Sequence, residues 1–272
     1  IYKVIRDGQV RVNSKRVKPS YRLVSQDIVR IPPISPLTKE ISKNEKFLGN
    51  IGEYIIFENN DFIVIDKPAG LSVHGGTNVK YDIISSLKKL KNNADIAPVN
   101  RLDRNTSGCM LISKNYHSAK HLGNCFKTNQ VKKSYKALLL GKLAELETKV
   151  DSSLKINKKK NDGRVSVDDS GKYALSTFYV EKYISNYTLV DVSIKTGRTH
   201  QIRVHSSSIK HPICGDTKYG DKIVNLELRK IGLNRIFLHS SNLSFYYNKH
   251  YNFQSPLPND LAILIDNLEN EI

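Results

Sequence analysis

Arg101-Leu102-Asp103-Arg104-Asn105-Thr106-Ser107-Gly108 is the stretch that says most about the fold of this chain. Its carboxylate, Asp103, lies between two arginines, and the small polar residues and glycine that follow predict a tight loop between strands. A carboxylate held near cations stays ionised, which suits a nucleophile better than a proton donor. Taken by itself, the same pattern is also typical of a structural ion pair.

Short strands and helices are predicted on both sides of this loop. Alternating apolar residues predict strands, and apolar residues at helical spacing predict helices. The strands cover residues 54–57, 62–65, 110–112, 133–140, 177–183 and 187–194, and the helices cover residues 82–91 and 113–126. Hairpins outnumber strand-helix-strand units, which favours an α+β fold with a largely antiparallel sheet over a doubly wound fold.

The chain is strongly basic. Its 272 residues include 43 Lys and Arg against 26 Asp and Glu, a formal net charge of +17. This excess favours a polyanionic partner, most often nucleic acid, although a Lys-rich proteome would also produce it. The sequence contains no basic amphipathic helix, no apolar stretch of membrane-spanning length and no secretory signal. We therefore expect a cytoplasmic protein that does not bind membranes.

Cysteine and histidine spacing argues against a metal site. The three cysteines are far apart and form no Cys-x-x-Cys pair, so we interpret them as buried residues of a reducing compartment: Cys109, Cys125 and Cys214. His117 and His121 have metal-compatible spacing on a predicted helix, but no Glu follows His117 as in a metalloprotease. We predict no metal.

Residues 1–33 form a distinct basic segment with eight basic residues against two acidic ones. A short helical end over residues 1–6 is predicted, followed by a tight hairpin around Asn13-Ser14. The segment resembles the later part of an S4-type RNA-binding module, whose opening helix we expect before Ile1. Its RNA-binding candidates are Lys15 and Arg16.

A polar stretch over residues 34–50 follows this segment and shows no clean periodicity. It is predicted to be a linker, and residues 51–272 are predicted to form a catalytic domain. Residues 155–164 of that domain form a basic loop, which suits a solvated tip or a phosphate contact equally well.

The chain resembles the RluA-type pseudouridine synthases, in which a single aspartate is essential. The opening octapeptide is similar to the catalytic signature of that family, and Asp103 matches its aspartate. Further segments resemble the family's motifs in the expected order: Lys67-Pro68-Ala69-Gly70, Lys133-Ser134-Tyr135, Gly197-Arg198-Thr199-His200-Gln201-Ile202-Arg203, Gly215-Asp216, Tyr219-Gly220, Phe237-Leu238-His239-Ser240 and Ser255-Pro256-Leu257-Pro258. With the S4-like segment in front, the chain looks closest to the RluC branch, which modifies several uridines in large-subunit ribosomal RNA.

The resemblance implies a fold and a reaction. The fold is the pseudouridine synthase fold, with a mixed, largely antiparallel central sheet flanked by helices and preceded by the partial S4-type module. The reaction breaks the N1–C1′ bond of a flipped-out uridine and joins C5 to C1′, and it requires no cofactor. Asp103 would act as a nucleophile on C1′ or C6, or as a base at C2′.

The resemblance also implies roles for other residues. Arg198 matches the arginine that pairs with the aspartate. Tyr135 matches a tyrosine that lies against the uracil and helps to remove the C5 proton, and Leu238 matches an apolar contact beneath the base. Three further arginines are candidates for contacts with RNA or for structural roles: Arg101, Arg104 and Arg203. The implied partner is large-subunit ribosomal RNA or its assembly intermediate, bound by a monomer.

The chain departs from the family at Asn100, where members commonly have histidine. Asparagine forms hydrogen bonds but does not titrate. If the histidine only orders the loop, Asn100 replaces it. If its proton matters, the chain is a catalytically impaired RNA-binding or ribosome-assembly protein of the same fold.

A third hypothesis is a hydrolase that uses Asp103 with a second carboxylate, because most glycosidases need two. No second acidic residue stands out in the matched motifs. The nearest candidate is Asp66, which we interpret as structural.

Overall fold

The structure is a computed structural model that describes residues 5, 8–31, 50–75, 82–157 and 163–270. The chain divides into two compact units, Ile1–Ser42 and Lys43–Ile272. The predicted linker lies outside the described residues except for Asn50, and the predicted helical end over residues 1–6 is described only at Ile5.

The N-terminal unit contains a three-stranded antiparallel sheet in the order β2-β1-β3, formed by β1 (Arg11–Val12), β2 (Lys15–Arg16) and β3 (Val29–Arg30). Asn13 and Ser14 connect the first two strands with φ angles of 50° and 64°. Two successive positive φ angles are those of the tight hairpin turn that matches the twist of the strands. The predicted hairpin is therefore confirmed, and it leaves Lys15 and Arg16 exposed on an edge strand.

The larger unit is built on a ten-stranded mixed sheet. Its main path is β4-β5-β7-β14-β8-β13-β12-β9, with β6 on β7 and β15 on β14. The strands are β4 (Ile55–Glu58), β5 (Phe62–Lys67), β6 (Ala97–Pro98), β7 (Ser107–Ser113), β8 (Lys132–Leu140), β9 (Glu147–Asp151), β12 (Leu175–Ile184), β13 (Tyr187–Ile194), β14 (Leu238–Tyr247) and β15 (Lys249–Gln254). A separate hairpin consists of β10 (Leu154–Ile156) and β11 (Val165–Val167). Lys155 and Ile156 of the predicted basic loop belong to β10, and residues 158–162 of that loop lie outside the described part.

Helices connect and cover these strands. They are a 3-10 helix (Ile51–Tyr54), α1 (Ile83–Lys91), α2 (Tyr116–Lys127), α3 (Gln201–Ser208), α4 (Lys222–Lys230) and α5 (Asn259–Asn270). The side chain of Asp82 caps α1, and Asn115 caps α2 in the same way by accepting a hydrogen bond from Ser118. Helix α2 therefore begins later than the predicted residue 113, which is the last residue of β7.

The central strands bury both of their faces. Ile63 and Ile65 of β5 belong to one apolar cluster, whereas Phe62 and Val64 belong to a second cluster on the opposite face. Successive side chains of a strand point to opposite faces, so one strand can serve two cores. The three cysteines are free and buried in these cores, as the sequence predicted.

Strands β7 and β14 form a parallel pair in this sheet, with Ser107 opposite His239 and Gly108 opposite Ser240. Gly108 has a φ angle of +107°, and a Cβ atom added there would lie 2.2 Å from the carbonyl oxygen of Ser240. Only glycine permits both the backbone angle and this close approach. The glycine that ends the octapeptide thus fixes the catalytic-loop candidate to the centre of the sheet.

Gly108→Ala is expected to lower the free energy of unfolding by about 4 kcal/mol, because backbone strain and overpacking contribute about 1–3 kcal/mol each. Gly123→Ala is the matched control. Gly123 lies within α2 with open space around it, so alanine there should raise stability by about 0.5–1 kcal/mol. Urea unfolding of both variants measures the effects, and equal stabilities would contradict the close approach.

Candidate active site

A cleft of about 490 Å³ opens beside the octapeptide, and its lining includes Asp103. The Asp103 side chain is 32% exposed, so one side of the carboxylate faces the cleft. The loop is held by a hydrogen bond from the Thr106 amide to the Asp103 carbonyl. Arg101 and Arg104 are exposed and line the same cleft.

Arg203 of helix α3 holds the Asp103 carboxylate. Its Nη1 atom donates to Oδ2 of Asp103 at 2.8 Å, while its Nε and Nη2 atoms donate to the two carboxylate oxygens of Asp216 at 2.7 and 2.8 Å. Burial acts to lower the pKa of Arg203, but its bonds to Asp216 and Asp103 raise that pKa above its ordinary value. The guanidinium therefore stays charged and fixes one oxygen of Asp103.

The prediction that Arg198 pairs with Asp103 is wrong in this structure. Arg198 is exposed, and its Nε atom donates to the Tyr173 carbonyl at 2.9 Å. The reason is local: His200 has a φ angle of 55° and turns the chain into α3. Arg198 precedes this turn and lies at the rim of the cleft, whereas Arg203 follows it and points inward.

Tyr135 and Leu238 lie beneath Asp103, and both are buried. They line a smaller cavity of about 80 Å³ together with Asp103 and Arg203. Burial raises the pKa of Tyr135 to about 12, although a hydrogen bond with Ser240 opposes the rise. At neutral pH the Tyr135 side chain is therefore a phenol, not a phenolate.

Asn100 orders the loop before the octapeptide. Its Oδ1 atom accepts a hydrogen bond from the Leu111 amide at 2.8 Å, next to a backbone bond from Val99 to Leu111. This is the loop-ordering role that the first interpretation of Asn100 requires. A carboxamide serves that role without a titratable proton.

Lys67 supports the octapeptide from below and was not predicted as a site residue. Its side chain is fully buried, and Nζ donates to the carbonyls of Pro68 and Arg104 at 2.9 and 3.0 Å. The Arg104 side chain in turn donates to the carbonyl of Gly70. Burial lowers the pKa of Lys67 to about 7, with Asp103 opposing the shift. The Lys67-Pro68 dipeptide was the sequence signal that could have identified Lys67. The contact of Lys67 with the Arg104 carbonyl, however, depends on the pairing of β5 with β7.

Lys67 should make stability depend on pH. Its pKa falls from an ordinary value of 10.5 to about 7 on folding, so between these values the unfolded chain binds more protons and the free energy of unfolding rises with pH. From pH 7 to 9 we expect the parent to gain about 1–3 kcal/mol relative to Lys67→Met. Urea unfolding of both proteins at each pH measures the difference, and parallel curves would contradict a depressed pKa.

Three more residues near Asp103 were missed by the sequence interpretation. Asp216 has a fully buried side chain, His200 has Nε2 3.7 Å from Oδ2 of Asp103, and Tyr219 contacts His200. Arg203 binds both oxygens of Asp216, which argues against a role as the second carboxylate of a glycosidase. Asp66 accepts a hydrogen bond from Ser255, in agreement with the structural role we assigned to it.

The chain belongs to the RNA pseudouridylate synthase family, whose model matches residues 61–208. The S4 domain model matches residues 1–29. The predicted enzyme class, an RNA pseudouridine synthase, follows from this membership and is confirmed.

Named relatives agree with this assignment. The chain is 37% identical to ribosomal large subunit pseudouridine synthase C of Haemophilus influenzae, over 98% of this chain and 86% of that protein. It is 38% identical to the protein of the same name from Pasteurella multocida, over 92% of this chain and 78% of that protein. A solved structure of human RNA pseudouridylate synthase domain containing 4 matches with a TM-score of 0.69 at 25% identity, covering 82% and 95% of the two chains. The predicted fold and resemblance are thereby confirmed.

Among the residues that the structure describes, no group of three or more His, Cys, Asp or Glu side chains is placed to hold a metal ion. None of the described helices combines the length and apolar composition needed to cross a bilayer.

Proposed function

We propose that the protein converts uridines of large-subunit ribosomal RNA to pseudouridine, with Asp103 as the reacting group. The observation that carries the proposal is the Asp103 carboxylate, which is held by Arg203 at 2.8 Å on one side and open to the cleft on the other. The substrate is proposed from the two relatives named as large-subunit pseudouridine synthases.

The reaction is an isomerisation, so atoms and electrons balance within the substrate. The N1–C1′ bond breaks, the uracil turns, C5 joins C1′, and the C5 proton is exchanged for one on N1. Arg203 holds the Asp103 carboxylate in one orientation, as either an attacking nucleophile or a base at C2′ requires. The chemistry requires neither a metal nor a cofactor.

Tyr135 and Leu238 are proposed to contact the flipped uracil from below, because both line the small cavity beneath Asp103. A phenol with a raised pKa is a poor base, so any removal of the C5 proton by Tyr135 would require its oxygen to accept the proton as another leaves. Flipping the target base out of its stack costs a few kcal/mol.

Exposed basic residues are proposed to offset that cost by binding phosphates. In the larger unit, three exposed arginines line the cleft that contains Asp103: Arg101, Arg104 and Arg198. In the N-terminal unit, Lys15 and Arg16 lie on the exposed hairpin of the segment that matches the S4 domain model. Phosphate contacts of this kind make binding strongly salt-dependent.

We propose that residues 1–33 bind RNA, that residues 34–50 link them to a catalytic domain over 51–272, and that the protein acts in the cytoplasm. One chain should suffice as a monomer, because every residue placed at Asp103 comes from the same unit.

Tritium release tests the substrate. RNA labelled with tritium at C5 of uridine loses the label when C5 joins C1′, so release reports isomerisation directly. We expect release from an unmodified large-subunit rRNA transcript and not from a small-subunit transcript of matched length. Transfer RNA transcripts form a third arm that decides whether tRNA is also a substrate. Tight binding of large-subunit rRNA without release would favour an RNA-binding protein and contradict the proposal.

A further inference from the structure

Two hydrogen bonds and one longer polar contact connect the β10–β11 hairpin to Asp103. The Val165 amide donates to the Tyr219 hydroxyl oxygen at 2.9 Å, and that hydroxyl lies 2.8 Å from Nδ1 of His200. The other ring nitrogen, Nε2, lies 3.7 Å from Oδ2 of Asp103. These contacts thus run through the His200 ring and end on the proposed reacting group.

The neighbours of the His200 ring determine which of its nitrogens carries the proton. The Val165 amide can only donate, so it occupies an acceptor position of the Tyr219 oxygen. The Asp103 carboxylate can only accept, so the proton of a neutral His200 ring belongs on Nε2, which faces Oδ2, and Nδ1 then accepts the hydroxyl hydrogen of Tyr219. Burial lowers the pKa of His200, with Asp103 opposing and Arg203 reinforcing the shift, which agrees with a neutral ring at neutral pH.

Tyr219 also packs against both groups that hold Asp103. Its ring meets the His200 ring edge-on at 5.5 Å between centroids, and the Arg203 guanidinium lies over it at 5.2 Å. His200 stands in the left-handed backbone region immediately before α3. The position of its ring therefore depends on the turn into the helix and on the Tyr219 contact.

We infer that His200, held by Tyr219 as the tautomer with its proton on Nε2, is a positioning residue that acts with Arg203 on Oδ2 of Asp103. In the described part of the chain, Arg203 Nη1 at 2.8 Å and His200 Nε2 at 3.7 Å both approach the Asp103 carboxylate at Oδ2. The other oxygen, Oδ1, is then the one presented to the uridine. This inference rests on the proposed function, because it assigns a part in that reaction.

A double-mutant cycle of isomerisation rates tests the inference. His200→Asn removes the Nε2 donor, and asparagine tolerates the left-handed backbone. Tyr219→Phe removes only the hydroxyl. We expect His200→Asn to lower kcat about tenfold with unchanged RNA affinity, and Tyr219→Phe to lower it about three- to tenfold.

The double variant should be no slower than His200→Asn alone, because Tyr219 acts through His200. Multiplied effects in the double variant would overturn the inference. Tyr183→Phe is the matched control, since the Tyr183 hydroxyl donates to the Leu143 carbonyl away from the cleft, and its kcat should equal that of the parent.

Nitrogen NMR of the histidine rings in the parent provides a readout that needs neither activity nor variants. We expect Nδ1 of His200 to be unprotonated and Nε2 protonated at neutral pH, with the preference weakened in Tyr219→Phe. A proton on Nδ1 in the parent would overturn the inference even if the enzyme is active. A parent that releases no tritium would contradict the proposed function instead, while the tautomer measurement would still decide how His200 faces Asp103.

Discussion

Asp103→Asn is expected to slow uridine isomerisation by at least ~10³-fold, in the range seen when a reacting group of an enzyme is removed. Asparagine keeps the size of the side chain and can still accept a hydrogen bond from Arg203, but it is neither an anionic nucleophile nor a base. Tritium release measures the rate. RNA affinity, measured by filter retention, should remain within a few-fold of the parent because the cleft keeps its arginines.

Asp66→Asn is the matched control for this variant. Asp66 accepts a hydrogen bond from Ser255 and does not line the cleft, so its rate should match that of the parent. Equal losses in the two variants would indicate a reaction that uses two carboxylates, and an unchanged rate in Asp103→Asn would remove Asp103 from the mechanism.

Arg203→Met should both destabilise the protein and abolish its activity. The side chain of Asp216 is fully buried and loses its charged partner, while Asp103 loses the donor that orients it. Breaking a buried pair on one side typically costs ~3–5 kcal/mol, because the remaining charge is left uncompensated. Urea unfolding measures the stability, and tritium release, under conditions where the variant is folded, measures the activity.

Arg198→Met is the control for Arg203→Met. Both arginines lie in the same motif, within three residues of His200. Among the described residues, the exposed Arg198 side chain donates only to the Tyr173 carbonyl. We expect its loss to change the free energy of unfolding by less than ~1 kcal/mol. If Arg198→Met were the more destabilising of the two, the assignment of Arg203 as the partner of Asp103 would be wrong.

The sequence predicted the elements around the site because their signals are local. A short apolar run marked the strand that became β5, and alternation marked the strand that became β8. Asn13-Ser14 marked a turn whose backbone angles the structure bears out. The octapeptide combined a charged loop with a glycine that the structure places against Ser240. Each of these inferences depends on neighbours within a few residues.

The partner of Asp103 could not be predicted in the same way. Arg198 and Arg203 occur in one short motif, and the choice between them depends on where α3 begins and on the backbone angle of His200. The contacts of Asp216 and Lys67 join segments that are distant in sequence. Such contacts follow from strand pairing and helix packing, which residue patterns alone do not specify.

Mapping of pseudouridine at nucleotide resolution shows whether the protein isomerises uridines of large-subunit rRNA and whether Asp103 is required. Unmodified large-subunit rRNA is incubated with the parent or with Asp103→Asn, then labelled with carbodiimide and read by primer extension. We expect new stops at a few uridines with the parent and none with the variant. Tight RNA binding without new stops in the parent, or the same stops with Asp103→Asn, would contradict this expectation.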